Sequence, residues 1–325
     1  MTPHTTTRRF ATLALGALVL AGSTSWAQTY PTKPITMVVP FGPGSGTDQT
    51  ARMYGQAVSE FLQVPVVVEN KGGAAGFLAA QQVAKSAPDG YTIFMTTNTT
   101  QVANPFLFKK VPYDPVKDFA PIALLSTGQM LLLVRPDAPY RSVADLLAAA
   151  QKAPGKLNFG SGSSSSQVAG ELLKQLAKVD ITNVPYKSNP QAIIDLIGGQ
   201  LDFMFADATT AIPQVEGGKL RALAVSGSQR MQTLPDLPTV AQAGLAGYDM
   251  TYWIAVYAPA STPAPVVERL SQAFGHAAQS PEVRTFQLKN SSEPAFIGPQ
   301  ALAQFQAQEM QKWERVIRAA GLQPQ

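Results

Sequence analysis

The residues of this chain whose types and spacing can do chemistry are glycines and hydroxyls, not acids paired with bases. The stretch Ile35 to Arg52 reads ITMVVPFGPGSGTDQTAR. An apolar run, Ile35–Val39, passes through Pro40, Phe41, Gly42, Pro43, Gly44, Ser45 and Gly46 into a helical pattern. Ala51, Tyr54, Val58, Phe61 and Leu62 fall on one face of that helix. A glycine-rich strand-to-helix turn strips side chains from the backbone and leaves the first amides of the helix unpaired. The helix N-terminus adds partial positive charge, so the turn is a ready site for a small anion. Phe41, Gly44, Ser45, Gly46, Thr47 and Asp48 form the first candidate ligand-binding group.

A second turn of the same kind runs from Gly160 to Ser166 (GSGSSSS) and leads into a helical pattern over Gln167 to Lys178. Its hydroxyls, at Ser161, Ser163, Ser164, Ser165 and Ser166, can cap the helix or donate to a ligand. The same composition also suits a flexible linker. Thr96, Thr97 and Asn98 lie at the C-terminal end of the strand TIFMTT, and ligands of open parallel sheets bind beyond the carboxyl ends of strands. Such letters also make ordinary turns. Asp207 holds the equivalent place after Phe203–Phe205, where it can cap a helix or accept a hydrogen bond from a ligand. Lys187, after another strand run, can meet an acid or simply face solvent.

Catalytic signatures are missing. The first turn lacks the lysine of a phosphate-binding loop, and glycines at 42, 44 and 46 do not make a dinucleotide fingerprint. No serine has glycines two residues before and after it, as a nucleophile elbow requires. No histidine–cysteine–carboxylate cluster has metal-ligand spacing. The expectation is a protein with no catalytic residues, no metal and no cofactor. The rival from another class is an exported serine hydrolase that uses a serine of SGSSSS with His276 as its base.

The elements that must position these turns are legible as alternation. Short β-rich runs at Ile35–Val39, Val66–Glu69, Thr92–Thr96, Ile122–Leu125, Leu131–Arg135 and onward to Trp253–Ala258 are separated by helical patterns. That alternation indicates α/β architecture with mostly parallel sheets flanked by helices. Two extended crossings, near residues 126–139 and 245–265, suggest a discontinuous lobe of residues 28–127 plus 250–325. A second lobe, 128–249, is inserted within it. After Pro263 the pattern is helical to the end.

The totals bound the setting. Of the formal net charge of +4 over 325 residues, two units come from Arg8 and Arg9. These precede the apolar Leu13–Gly22 and the small-x-small Ser25-Trp26-Ala27, the pattern of a cleavable signal peptide over residues 1–27, cut after Ala27. An apolar core of about ten residues is too short for an anchor. About 300 residues remain, enough for two domains. No basic block supports nucleic-acid binding. With no cysteine, an exported fold has to rely on its core alone.

The chain resembles the periplasmic solute-binding receptors of tripartite tricarboxylate transporters, the Bordetella uptake gene (Bug) family. The resemblance rests on Tyr30-Pro31 with Lys33-Pro34-Ile35, Pro43-Gly44 with Gly46-Thr47-Asp48, and Val68-Glu69-Asn70-Lys71. It continues with Pro88-Asp89-Gly90-Tyr91-Thr92, Tyr113-Asp114-Pro115, Val184-Pro185-Tyr186-Lys187 and Gly218 to Val225. It implies a two-lobed periplasmic binding protein of the type II, Venus-flytrap kind, with two crossover strands, acting as a monomer. It also implies capture of a small carboxylate (mono-, di- or aromatic) and delivery to the membrane components of such a transporter. A receptor feeding a membrane sensor kinase is the alternative. Ser45, Ala75, Gln167, Ser188 and Ile254 depart from the family's usual residues, and Ser45 and Gln167 make the cleft richer in neutral donors.

Overall fold

Residues 30–325 are described by the computed structural model, and the expected leader lies outside them. The chain runs β1 (Ile35–Val39), α1 (Gly46–Leu62), β2 (Val66–Asn70), α2 (Phe77–Ala84), β3 (Thr92–Thr97), α3 (Asn104–Leu107) and β4 (Phe119–Val134). It continues α4 (Val143–Lys152), β5 (Asn158–Ser161), α5 (Ser164–Ala177), β6 (Thr182–Pro185), α6 (Asn189–Ile197), β7 (Phe203–Asp207), α7 (Ala208–Glu216) and β8 (Arg221–Val225). The return is β9 (Thr251–Pro259), α8 (Ala264–Gln279), α9 (Pro281–Lys289), β10 (Ser292–Ile297) and α10 (Pro299–Ala319).

β4 is the axis of the molecule. Its first part pairs with β9 and β10, in a sheet ordered β2-β1-β3-β9-β4-β10. From Met130 it pairs instead with β7 and β8, in a second sheet ordered β8-β4-β7-β5-β6. The run Leu131 to Val134 is apolar at every position because both faces are covered. Leu132 and Val134 face the larger core, while Leu131 and Leu133 face a smaller one with Ile193, Leu196 and Met204. Alternate side chains of a strand point to opposite faces, so one segment nails two cores together.

Three expectations are corrected. The runs Ile122–Leu125 and Leu131–Arg135 are one strand of 16 residues, because Ser126 to Gln129 between them pair with Ile254 to Thr251 of β9. The stretch after Pro263 is not all helical: Ser292–Ile297 forms β10 at the sheet edge against β4, with a register shift after Pro294. Proline is tolerated there because an edge strand need not donate on both sides. The sheets are mixed rather than mostly parallel. β1–β2, β1–β3, β5–β6 and β5–β7 run parallel, and every pairing of β4 or β9 is antiparallel.

The last helix is tied to the crossing. Glu309 of α10 accepts from the indole N–H of Trp253 on β9 (3.1 Å) and of Trp313 (3.2 Å), both indoles being buried. Buried donors that lose their acceptor carry their full desolvation cost. Glu309→Ala is therefore expected to destabilise the fold by about 2 kcal/mol. Glu309→Gln, which keeps an acceptor oxygen, should cost less than half of that; urea unfolding of the three proteins checks the order.

Candidate functional site

Three helix N-termini converge where β4 passes between the sheets. In the first turn Gly44 takes φ 79°, a left-handed conformation suited to glycine, and its N–H donates to Asp48 Oδ2 (2.8 Å). Ser45 caps α1 by accepting from Asp48 N (3.3 Å). Ser163 and Ser166 form a reciprocal capping box on α5. Asp207 caps α7 by accepting from Thr210 N (3.0 Å). Each cap satisfies only the third amide of its helix. The Gly46, Thr47, Ser164 and Ser165 amides have no acceptor among the described residues, as expected for a first turn.

The strands supply the floor by register. Met130 lies opposite Asp207, Gly128 opposite Tyr252, and Thr97 opposite Ile254. Between floor and helix ends lies a partly open cavity of about 40 Å³, walled by Phe41, Ser45, Gly46 and Thr47 on one side. Gly162, Ser163, Ser165, Asn189 and Asp207 form the other. The two sides meet directly: a Cβ added to Gly46 would lie 2.3 Å from Asp207 Oδ1. Asn98 Nδ2 donates to Ser165 Oγ (2.8 Å) and Ser164 Oγ to Asn104 Oδ1 (2.9 Å), which latches the sides together. This is a closed conformation.

Of the residues singled out by sequence, Phe41, Ser45, Gly46, Thr47, Thr97, Ser163, Ser165 and Asp207 line the cavity. The others do not. Gly44 shapes the turn. Asp48 is held by Gly44 N, by Asn70 Nδ2 (2.9 Å) and by Arg52 (3.0 Å), so its carboxylate braces the turn from behind. Thr96 pairs with Thr100 (2.6 Å), Asn98 is the latch, and Ser166 completes the α5 cap. Ser161 donates to Asn183 Oδ1 and, with Ser164, Gln167 and Lys187, lines a neighbouring groove that shares Phe41, Gly162 and Ser163 with the cavity.

Sequence reasoning missed Met130, Asn189, Tyr252 and Ile254. Asn189-Pro190 was readable as a helix start after Tyr186-Lys187-Ser188. Tyr252 and Ile254 share a face by strand alternation, but which face meets the cavity is set by pairing. Nothing local marks Met130. His276 stands elsewhere, its ring 4.7 Å from Phe61 at the far end of α1. That end lies roughly 22 Å of helix away from Gly46, which removes it as a base for any serine of the cleft.

Electrostatically the cavity is unusual for an anion site. No lysine, arginine or histidine lines it, and its ionisable groups are Asp207 and Tyr252. Burial pushes the Asp207 carboxyl up from its ordinary range, against lowering by hydrogen bonds from Asn189 and Thr210. The Tyr252 phenol is pushed up by burial first and by the Asp207 charge second. A carboxyl raised in the native state contributes stability that is complete below its ordinary 3.8 and is lost as pH rises through the raised value. Asp207→Asn, which retains a capping oxygen, should therefore gain on wild type in Tm as pH rises from about 4. A gap that stays constant or narrows as pH rises would contradict the assignment. Gly46→Ala should block closure, since Asp207 is fixed by Thr210 and Asn189 and cannot simply swing aside. Its expected signature is loss of any ligand-induced rise in Tm with the unliganded Tm changed by only a degree or two.

The model of the tripartite tricarboxylate transporter family receptor (TctC) matches residues 50–322. The periplasmic binding protein BugD superposes with a TM-score of 0.87 at 33% identity, covering 91% of this chain and 100% of that one. Rpa4515 of R. palustris, solved with adipate, gives 0.88 at 33% identity over 91% and 100% of the two chains. MatC (Rpa3494) of Rhodopseudomonas palustris, solved with bound malate, gives 0.84 at 34% over 89% and 100%. BugD is a periplasmic binding protein, and the match over its full length gives this chain the same fold. The chain belongs to the receptor family of tripartite tricarboxylate transporters, as a periplasmic solute-binding receptor and not an enzyme.

Proposed function

We propose that this receptor, exported by cleavage after Ala27, captures a small carboxylate between its lobes and delivers it to the membrane components of a tripartite tricarboxylate transporter. The lobes are residues 28–127 with 250–325, and 128–249. The ligand sits against Phe41, Ser45, Gly46, Thr47, Thr97, Ser163, Ser165 and Asp207. The observation that carries this reading is the convergence of unpaired amides from α1 and α5 on one cavity lined by no basic side chain.

The physics favours a carboxylate held reversibly. A charge-assisted hydrogen bond contributes roughly 1.5–3 kcal/mol net, so the Gly46, Thr47 and Ser165 amides offset much of the anion's desolvation. Neutral donors avoid the cost of breaking a buried ion pair on release. A ligand bridging Gly46 and Ser165 favours the closed state over the open one by whatever affinity it gains from the second lobe. The transporter then reads the closed surface, with the receptor acting as a monomer. Family membership supports the transporter as partner in place of a sensor. The adipate and malate bound by Rpa4515 and MatC support a dicarboxylate as ligand.

A thermal-shift panel of mono-, di- and aromatic carboxylates tests this reading. A true ligand at a hundred times its Kd should add about 2.7 kcal/mol to stability, a shift of several degrees. Phe41→Ala, which uncovers the cavity mouth, should weaken that ligand about tenfold without lowering the unliganded Tm by more than a few degrees. A panel in which no carboxylate shifts Tm, while another solute class does, would overturn the proposal.

A further inference from the structure

β8 is the edge of the second sheet, since the only strand it pairs with among the described residues is β4. Its outer side is covered at the end alone. Val225 N donates to Pro238 O (2.9 Å) and Val240 N to Val225 O (2.9 Å), and Val225 bridges to Thr239. Before Pro238 the chain diverges from β8. That divergence leaves an open groove of about 530 Å³, lined by Val215, Leu220, Arg221, Ala222, Leu234 and Leu237. It shares no residue with the ligand cavity, so the segment Gly218 to Val225 serves something other than carboxylate capture.

The groove carries an unmatched charge. The half-buried Arg221 guanidinium donates to Pro136 O (2.7 Å) and Tyr140 O (3.4 Å). Among the described residues no carboxylate is in ion-pair contact with it. Asp236, the acid of the groove, is exposed at its lip, where water screens it.

The outer wall is rooted where the chain crosses between the lobes. Ser226 is fully buried at the end of β8. Its Oγ accepts from Met130 N (2.8 Å) and donates to Met250 O (2.6 Å). Its backbone N–H donates to Met130 O (2.8 Å), and its carbonyl accepts from Met250 N (2.8 Å). Both crossings are thereby fastened to the start of the segment that returns as the groove wall. Further along that segment the Thr233 hydroxyl bonds to the Ser291 hydroxyl, between α9 and β10. A change in angle at the crossings moves this wall, so the width of the groove follows closure.

Resting on the transporter reading above, we propose that this groove docks a membrane component of the transporter, which adds an extended segment to the open edge of β8 and sets a carboxylate side chain on Arg221. Strand addition draws its affinity from main-chain hydrogen bonds and its specificity from pockets for alternate side chains. An open edge beside apolar surface is a liability unless something covers it. Ligand in the cleft then controls docking at a second site through the angle between the lobes.

Photo-cross-linking tests the proposal in cells that take up, through this receptor, whichever carboxylate of the panel above raises Tm most. The photoreactive p-benzoylphenylalanine replaces Asp236 at the lip or, as a control, the exposed Val67 on the edge strand of the other sheet. The probe at position 236 should capture a membrane component of the transporter, about threefold more with the carboxylate supplied than without. The probe at position 67 should capture about a tenth as much or less. Arg221→Gln should cut capture about fivefold and Arg221→Lys restore most of it, with the Kd for the carboxylate unchanged within about twofold. The contrast between the two probe positions stands by itself if an Arg221 variant fails to fold. Equal capture from both positions, capture of a second copy of this chain, or uptake without capture at position 236 overturns the docking surface and leaves the receptor reading intact. Failure of wild-type protein to bind any carboxylate overturns the receptor reading itself.

Discussion

The approach of the first turn of α1 to the Asp207 carboxyl is the constraint on which the rest of the structure depends. Only hydrogen at the Gly46 Cα permits it, since a methyl there would sit 2.3 Å from Oδ1. Because the lobes meet this closely, the amides of α1 and α5 share a single cavity and not two separate grooves. Enclosure is also what gives neutral donors their strength, since a hydrogen bond is electrostatically stronger away from water. The same enclosure is what pushes the Asp207 carboxyl up. One geometric fact therefore produces both the anion grip and the acid beside it.

Polar contacts join the two sides at the cavity. The Asn98–Ser165 and Asn104–Ser164 bonds join residues far apart in sequence. Each is worth only about 1 kcal/mol net, an amount suited to an interface that must reopen. The rigid parts lie elsewhere. β4 belongs to both sheets, and α10 braces β9 through Glu309, so the cavity floor keeps its shape while the helix ends come together around it. A receptor needs that division, because a floor that moved with the lobes would lose the register setting Met130, Asp207, Tyr252 and Ile254 in place.

Much of this was legible in the amino-acid sequence by itself. The turns at Gly44–Gly46 and Gly162–Ser166 are visible as glycine and serine before an amphipathic pattern, a composition that suits a helix start with free amides as well as a linker. The alternation of strand and helix declares an α/β fold for the same local reason. The motifs from Tyr30 to Val225 mark the family.

What only the tertiary structure decided is which of those residues face the ligand. Asp48 and Asp207 look alike as acids beside glycine-rich or strand-end turns. Asp48 is turned to Arg52 and Asn70, whereas Asp207 is carried into the cleft by its register with Met130. Asn98 became a latch because Ser165 comes to it from the other lobe. Asn189 and Tyr252 entered the site through pairings between segments far apart along the chain. Local propensity and turn chemistry act over a few residues and are written in them directly. Side-chain facing depends on strand register and on how two lobes meet, and no short stretch of sequence contains that information.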